Sequence, residues 1–357
     1  MIKEQRHNEI RTHHCPDCYI CGTQGQPLYQ GLKDRLFGAP GEWNFKKCRN
    51  PGCGLVWLDP MPLEEDINIA YQTYYTHQTS QFSDSEYSSP VGRLKQALRR
   101  LDQSLGIANL HRIYGYPCKN RWLWPLSLLF PTRRKYDALK VMYLPYRETG
   151  KLLDIGSGSG QFLVRMRSLG WAVEGVELDP KTARASREIF NVPVREGTIY
   201  EQDYPSKYFD AVTLNNVIEH AHKPMDLLRE CCRVLKPRGR LVIVTPNVES
   251  FCARNFGPHW RGLEPPRHLY IFSMAAIESA ARSGGLENVS IRSIVRDGYM
   301  LGASYALTRN IPFRNGNPEL NIIQAFMIEF AASLLSSVVL IKYNMGEELV
   351  VICAKGS

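Results

Sequence analysis

The stretch that decides the fold is KLLDIGSGSGQF, residues 151–162. A short apolar run ends near Asp154, three glycines follow at alternate positions, and an amphipathic segment begins at Phe162. This order predicts a strand, a tight turn and a helix N-terminus. Glycine permits positive φ and lets a ligand lie against main-chain amides, so the turn is a candidate binding loop. Its GxGxG spacing after an acid differs from the GxGxxG spacing of the dinucleotide fingerprint.

Strands and helices alternate from Lys151 to Lys355, which predicts an α/β fold with a parallel sheet covered by helices on both faces. Pro224 suits the first turn of the helix before the fifth strand, and Pro237 and Gly239 are expected to stop that helix. The candidate strands are Lys151–Ile155, Trp171–Glu177, Val192–Arg195, Phe209–Leu214, Arg240–Thr245, Asn288–Ile294 and Glu348–Ala354.

Four further stretches carry a family resemblance: LNNVIEH at 214–220, RVLKPRG at 233–239, TPN at 245–247 and PPRHLYIFS at 265–273. Together with the glycine turn they resemble class I S-adenosylmethionine-dependent methyltransferases, in particular the ubiquinone-pathway O-methyltransferases. With the N-terminal cysteines, the chain is also similar to zinc-containing sugar C-methyltransferases. The resemblance implies a Rossmann-like sheet of seven strands, the last antiparallel. It covers nearly the whole chain except residues 91–148, and Arg238 replaces a common glycine.

The resemblance implies S-adenosylmethionine as cofactor. Glu177 ends the second predicted strand about twenty residues after the turn, where a carboxylate can accept hydrogen bonds from both ribose hydroxyls. Asp154 is expected to orient the turn and Asp179 to cap the next helix. Many relatives carry an acid where Thr198 stands, which weakens the expected adenine contact. The remaining candidate cofactor residues are Gly156, Ser157, Gly158, Gly160, Thr198, Ile199 and Asn215.

Methyl transfer to oxygen or carbon also requires removal of a proton. His220 is the first candidate base, because the unperturbed pKa of histidine lies near neutrality. Glu219 could orient it or act itself, and the alternative is that both residues only brace the loop under the cofactor. Further candidates for the acceptor pocket are Tyr74, Tyr75, Arg267 and His268.

Cysteines in the first 53 residues predict a metal site. Two knuckles, C-x2-C-G and C-x4-C-G, fit a zinc ribbon in which Cys18, Cys21, Cys48 and Cys53 bind a structural zinc ion. Cys15 competes for the first knuckle, since Cys15 and Cys18 also form a C-x2-C pair. The module, with the tyrosine-rich stretch after it, is expected to cover the acceptor.

Charge is unevenly distributed along the 357 residues. The net charge is +9, and residues 91–148 carry twelve Lys/Arg against three Asp/Glu. This basic segment indicates an anionic partner. We expect a zinc module and lid at 15–77, a linker and basic helical insertion at 78–148, and a methyltransferase domain at 149–357.

Two apolar segments, 121–135 and 320–341, suit either packing within the protein or contact with a membrane surface. No signal peptide is evident at Met1, and the expected location is cytoplasmic, either free or at the inner face of a membrane. The leading hypothesis is methyl transfer to a small-molecule, glycan, nucleotide-sugar or lipid-linked acceptor. Nucleic-acid methylation is disfavoured, because the fourth strand lacks an Asn/Asp-Pro-Pro-aromatic motif. The remaining alternative is a non-catalytic zinc-containing binding protein.

Overall fold

A computed structural model describes residues 9–72, 90–129, 137–296, 298–342 and 344–357. The chain divides into two compact units. One comprises Met1–Thr76, Leu214–Arg233 and Ile243–Ser357, and the other comprises His77–Thr213 and Val234–Val242. The domain boundaries expected from the sequence stay predictions. Tyr74, Tyr75 and residues 78–89 of the linker expected at 78–90 lie outside the described residues.

The strands of the described residues are β1 Thr12–His13, β2 Gly25–Leu32, β3 Trp43–Cys48, β4 Val56–Leu58, β5 Met61–Pro62, β6 Lys151–Ile155, β7 Ala172–Glu177, β8 Val194–Glu196, β9 Phe209–Asn215, β10 Leu235–Pro246, β11 Tyr270–Ile271, β12 Leu286–Ile294, β13 Phe313–Arg314, β14 Asn317–Pro318 and β15 Glu348–Lys355. The α-helices are α1 Pro90–Tyr114, α2 Gln161–Ser168, α3 Pro180–Phe190, α4 Pro224–Val234, α5 Phe251–Phe256, α6 Met274–Ser283, α7 Tyr299–Thr308 and α8 Ile322–Lys342.

A seven-stranded sheet has the order β12-β15-β10-β9-β6-β7-β8, which confirms the predicted α/β fold class. β6 pairs in parallel with β7, and β7 with β8, whereas β15 runs antiparallel to β12. Leu152 and Leu153 of β6 are fully buried, and β9 is buried over all but its last residue. Strands that are buried along nearly their whole length are typical of sheets covered on both faces.

The junction between α4 and β10 differs from the expectation. The helix starts at Pro224 as predicted but ends at Val234, and the strand begins at the next residue. Pro237 and Gly239 therefore lie within β10 instead of stopping the helix. Between them, Arg238 has a φ of +60°. This is the left-handed conformation that glycine adopts readily, so the chain turns here despite the absence of glycine at 238.

The N-terminal strands form small antiparallel sheets. One has the order β11-β4-β3-β2, and β1 pairs with β5. Trp57 of β4 is 1% exposed and its indole Nε1–H donates to the carbonyl of Cys15 at 2.8 Å. The strands thus hold the first cysteine knuckle beside the end of β3.

The basic insertion begins with α1, which ends at Tyr114 before Gly115 and Pro117. A 3₁₀ segment then runs over Arg121–Leu129 with Pro125 inside it. The described part of this segment is thus largely helical, and Pro125 lies inside the 3₁₀ segment without ending it. Arg112 lies over the ring of Trp124, with 3.9 Å between its guanidinium carbon and the ring centroid.

Helix α8 covers most of the apolar segment 320–341. Large apolar side chains on its first four turns are exposed, from Ile322 at 89% and Phe326 at 68% to Leu334 at 66%. The interpretation of a buried helix is therefore wrong for this face, and contact with a membrane or a partner stays a prediction. Within the described ranges, no helix combines the length and the apolar character needed to cross a membrane.

Candidate functional site

The glycine turn after β6 has the geometry that its sequence predicts. Gly156, Gly158 and Gly160 all have positive φ, and the backbone N–H groups of Gly156 and Ser157 donate to the carbonyl of Val176 in β7. A Cβ at Gly160 would lie 3.1 Å from Ser186 and Val192, which is tighter than usual packing, and the φ of +75° at this position disfavours any side chain. A Cβ at Gly158 would meet nothing within 4 Å, which leaves open space on the turn.

Glu177 lies against this turn at the end of β7. Its Oε2 accepts the backbone N–H of Gly158 at 2.8 Å, and its Oε1 accepts that of Asp179 at 3.1 Å. Each carboxylate oxygen has a second lone pair for a ligand hydroxyl. Asp179 caps α3, accepting the N–H groups of Lys181 and Thr182, which agrees with the predicted N-cap.

The turn also fits a polar ligand at Ser157. The Oγ of Ser157 is buried and has no hydrogen-bond partner in the described structure. A buried hydroxyl without a partner is uncommon, and a ligand that accepts or donates a hydrogen bond there would satisfy it. The open space at Gly158, the Ser157 hydroxyl and the Glu177 carboxylate therefore suit the amino-acid and ribose parts of the expected cofactor.

Asp154 is fully buried under the turn. The hydroxyl of Thr213 donates to its Oδ1 at 2.6 Å, so the observed partner is β9 and not the turn itself. Burial raises the pKa of Asp154 to about 7. A role in orienting the glycine loop stays a prediction.

The other predicted cofactor residues have structural partners of their own. Thr198 caps a short 3₁₀ helix through a capping box with Glu201, and Ile199 is 2% exposed. Asn215 is exposed at the end of β9, and its Oδ1 accepts from Arg296 at 3.2 Å. Their contacts with adenine or the rest of a cofactor stay predictions.

The structure brings Glu219, His220 and His268 together. The rings of His220 and His268 meet edge to face with centroids 4.8 Å apart. Glu219 is fully buried. Its Oε2 accepts the hydroxyl of Thr245 at 2.9 Å, whereas its Oε1 has no hydrogen-bond partner in the described structure. Burial raises the pKa of Glu219 to about 8.

Backbone carbonyls hold both histidines at Nδ1. Nδ1 of His220 lies 2.9 Å from the carbonyl oxygen of Arg267, and Nδ1 of His268 lies 2.7 Å from that of Gly262. A carbonyl only accepts, so these contacts favour the tautomer with the proton on Nδ1, and Nε2 of His268 lies 3.6 Å from a carboxylate oxygen of Glu264. Burial lowers the pKa of His220, and that of His268 to about 3, so both rings are neutral near pH 7.

Tyr71 is a residue of this site that the sequence analysis did not select. Its hydroxyl lies 3.0 Å from Nδ1 of His220, and the two rings are in edge contact. It belongs to the same tyrosine-rich stretch as Tyr74 and Tyr75. The composition of this stretch gives no reason to select one of the three tyrosines over the others.

Arg267, a candidate for the acceptor pocket, is instead fully buried in an ion-pair network. Its Nη1 donates to Asp34 and its Nε donates to Glu264, each at 2.9 Å. Glu264 also pairs with Arg261, and these cations, with the nearby histidines, hold the pKa of Glu264 well below its usual range despite burial. The expectation of a substrate contact is replaced by a structural role, because the guanidinium has no exposed surface.

The four predicted zinc ligands form one cluster. The sulfur atoms of Cys18 and Cys53 are 3.7 Å apart, and those of Cys21 and Cys48 are 3.4 Å apart. All four sulfurs lie within 4.8 Å of one another, and the cluster does not include Cys15. Thiolates at 2.3 Å from a tetrahedral zinc are about 3.8 Å apart, so the donor set and spacing fit this ion.

Comparison with known proteins agrees with this geometry. Residues 131–291 match the family model described as a methyltransferase domain. The ubiquinone biosynthesis O-methyltransferase of Xanthomonas campestris pv. campestris (strain B100) is 32% identical over 142 residues, covering 36% of this chain and 57% of that protein. The enzyme of the same name from Proteus mirabilis (strain HI4320) is 28% identical over 140 residues, covering 36% and 56%.

The chain thus spans just over half the length of these curated relatives. Among solved structures, an SAM-dependent methyltransferase from Archaeoglobus fulgidus has a TM-score of 0.42 and 20% identity, covering 65% of this chain and 100% of that one. The family match, the strand order and the glycine turn with Glu177 lead to one conclusion: this chain carries a class I methyltransferase domain.

Proposed function

We propose that the protein transfers a methyl group from S-adenosylmethionine to an oxygen of a small-molecule acceptor. The observation that carries the proposal is the carboxylate of Glu177, held by the N–H of Gly158 beside the open space of the glycine turn. Oxygen is favoured over carbon because the curated relatives are named O-methyltransferases. The basic segment 91–148 favours an anionic acceptor, such as a phosphate-bearing sugar or lipid-linked molecule.

The chain's own groups supply binding and positioning. The hydroxyl of Ser157 would hold the amino-acid part of the cofactor, and Glu177 would hold the ribose hydroxyls. The bound cofactor supplies a methyl group on a sulfonium, and the barrier to its transfer falls when donor and acceptor are held in line. The contacts that hold the cofactor and the acceptor in position therefore matter more for the rate than the strength of the nucleophile does.

An acceptor hydroxyl must also lose its proton. The neutral ring of His220 has a bare Nε2 that can take it, while Nδ1–H stays on the carbonyl of Arg267. Glu219 is protonated near neutral pH in the absence of a neighbouring cation, because burial raises its pKa. His220 is therefore the proton acceptor that we favour at this cluster in the absence of a metal ion.

We further propose that the four clustered thiols bind a structural zinc ion. Four thiolates complete a tetrahedral shell and leave no position for a substrate. The ion would stabilise the turns at Cys18–Gly22 and Cys48–Gly54, where Gly22 and Gly54 have φ near +70°. Its role would be to fold the N-terminal module.

Calorimetry on the full chain tests the central proposal. The protein would be titrated with S-adenosylmethionine, S-adenosylhomocysteine and NAD, with its metal content measured in parallel. Binding of the two adenosyl ligands but not of NAD supports a methyltransferase. If folded, zinc-loaded protein binds neither adenosyl ligand, the proposed activity is wrong.

A further inference from the structure

The basic insertion contains a small helical hairpin with a core of its own. Leu123 of the 3₁₀ segment packs with Leu105 and Ala108 of α1, and all three side chains are buried. The end of α1 and the start of the 3₁₀ segment are therefore held side by side. They line a cavity of about 370 Å³, which is within the usual size range of small-ligand sites. The residues that line it are His111, Arg112, Arg121, Trp122 and Trp124.

Among the described residues, the two arginines of this cavity have no acidic partner. Asp102 is the only acid between residues 100 and 126, and neither arginine forms an ion pair with an acid that the structure describes. The guanidinium of Arg112 lies over the Trp124 ring, a contact that leaves its in-plane N–H groups available to a ligand. Two guanidiniums on one cavity attract an anion, and their planar fork matches the oxygen atoms of phosphate.

Helix electrostatics explains only part of this charge. Cations are stabilised at the C-terminus of a helix, and His111 and Arg112 lie in the last turn of α1. Arg121 instead begins the 3₁₀ segment, at an end where the same effect favours acids. A bound anion accounts for both arginines.

Trp122 gives the cavity an exposed aromatic wall. This residue is 70% exposed, whereas Trp43, Trp57, Trp171 and Trp260 are at most 4% exposed. An indole has a large apolar face and an N–H donor at its edge. Beside two arginines, it suits a ligand that carries an apolar or aromatic part next to its negative charge.

The insertion is attached at the opposite edge of the sheet from the glycine turn. The indole N–H of Trp171 donates to the hydroxyl of Tyr116 at 3.3 Å, and Trp171 immediately precedes β7, whereas Glu177 ends it. A strand of six residues separates its two ends by about 20 Å. His111 and Arg112 lie within five residues of Tyr116, so the cavity is separate from the proposed cofactor site.

We propose that this cavity binds a phosphate group between Arg112 and Arg121, with the apolar or aromatic part of the same ligand on Trp122. The phosphate belongs either to a soluble phosphate ester or to the headgroup of an anionic lipid, because both present this anion beside an apolar group. Binding here is a second function of the chain and does not depend on the proposed methyl transfer.

The fluorescence of Trp122 provides the readout, because the emission of an exposed tryptophan changes when a ligand covers it. Full-length, zinc-loaded protein would be titrated with phenyl phosphate, and separately with phosphatidylcholine vesicles that contain or lack phosphatidylglycerol. We expect a saturable change with phenyl phosphate or with the phosphatidylglycerol vesicles. Arg112→Gln combined with Arg121→Gln should bind at least about tenfold more weakly, since each charged hydrogen bond is lost. Trp122→Phe should lose the optical signal but keep binding in calorimetry or vesicle sedimentation.

Lys47→Gln combined with Lys181→Gln is the matched control. It removes the same charge from two exposed residues that do not line the cavity, and it should bind like the wild type. A response to phenyl phosphate supports a soluble ester as the ligand, and a response to phosphatidylglycerol vesicles alone supports a lipid headgroup.

Three results would overturn the proposal: no binding of either probe, unchanged affinity in the folded arginine variant, or equal weakening in the lysine variant. The last result would reveal a nonspecific effect of net charge. Binding of S-adenosylhomocysteine, measured in parallel, should be the same in all variants. A chain that binds a phosphate probe but no adenosyl ligand would keep this site and refute the proposed activity.

Discussion

The carboxylate of Glu177 accepts a hydrogen bond from the backbone N–H of Gly158 at 2.8 Å. This bond connects the end of β7 to the open position of the glycine turn, so the acid is oriented before any ligand arrives. The two residues are nineteen positions apart, and the chain between them comprises the rest of the turn, α2 and β7, which explains why the spacing of the pair was visible in the sequence.

Glu177→Ala should abolish most of the affinity for S-adenosylmethionine. Hydrogen bonds to a charged group contribute about 1.5–3 kcal/mol each, so losing two ribose contacts should raise Kd by at least about 100-fold. Calorimetry with S-adenosylhomocysteine measures the change. Glu188→Ala, which removes an exposed acid on α3, should leave Kd unchanged. Normal binding by the Glu177 variant would show that the ribose assignment is wrong.

Cys48→Ser should reduce the zinc content and destabilise the N-terminal module. The Sγ atom of Cys48 lies in the four-sulfur cluster, and a serine hydroxyl is a poorer zinc ligand than a thiolate. Cys15→Ser is the control and should keep about one zinc per chain. Metal analysis after dialysis against a chelator gives the comparison. Equal loss of zinc in the Cys15 variant would contradict the proposed ligand set.

The ambiguity at Cys15 shows where sequence reasoning stops. Cys15, Cys18 and Cys21 are spaced so that two overlapping C-x2-C pairs exist, and spacing alone cannot choose between them. The choice is made by the sheet, because β3 delivers Cys48 to the pair formed by Cys18 and Cys21. The local spacing of the cysteines predicts a four-cysteine metal site, and the pairing of the strands determines which cysteines form the cluster.

Asp154→Asn should change how stability depends on pH. Burial raises the pKa of Asp154 to about 7, while in the unfolded chain it is near 3.8. Between these values the unfolded state has lost the proton and the folded state keeps it, so this group's contribution to stability falls as pH rises.

This group changes the free energy of unfolding by at most about 1.4 kcal/mol per pH unit, and it has no further effect below about pH 4 or above about pH 7. Urea unfolding at pH 4.5, 5.5 and 6.5 should show the stability of the asparagine variant rising relative to the wild type. A constant difference across this range would show that Asp154 does not titrate there.

Arg267→Met should lower the free energy of unfolding by roughly 3–5 kcal/mol, because buried Asp34 would lose its cation and buried Glu264 would lose one of its two arginine partners. Asp34→Asn combined with Arg267→Met should recover part of this loss, since one buried charge is then removed. Arg282→Met, which breaks an exposed pair with Glu278, should change stability by less than about 1 kcal/mol. Chemical denaturation measures all three variants. An Arg267 variant as stable as the Arg282 variant would refute the structural role.

The ion-pair network around Arg267 could not be predicted from the sequence. Asp34 and Arg267 are 233 residues apart, and no local pattern in the sequence connects them. Periodicity reports which strands and helices form, whereas a buried ion pair depends on which of them become neighbours. The same limit applied to α8, whose apolar composition suited a buried helix although its described face is exposed.

Arg238→Gly should stabilise the protein by about 0.5–1 kcal/mol. Arg238 has a φ of +60°, where a side chain costs about 1 kcal/mol or more, and glycine removes this cost while adding some entropy to the unfolded chain. Arg240→Gly is the matched control, since Arg240 is also exposed in β10 but has no positive φ. That variant should lose about 0.5–1 kcal/mol. Thermal and urea unfolding of both variants decide the matter: equal destabilisation would mean that the turn in β10 does not depend on the conformation of residue 238.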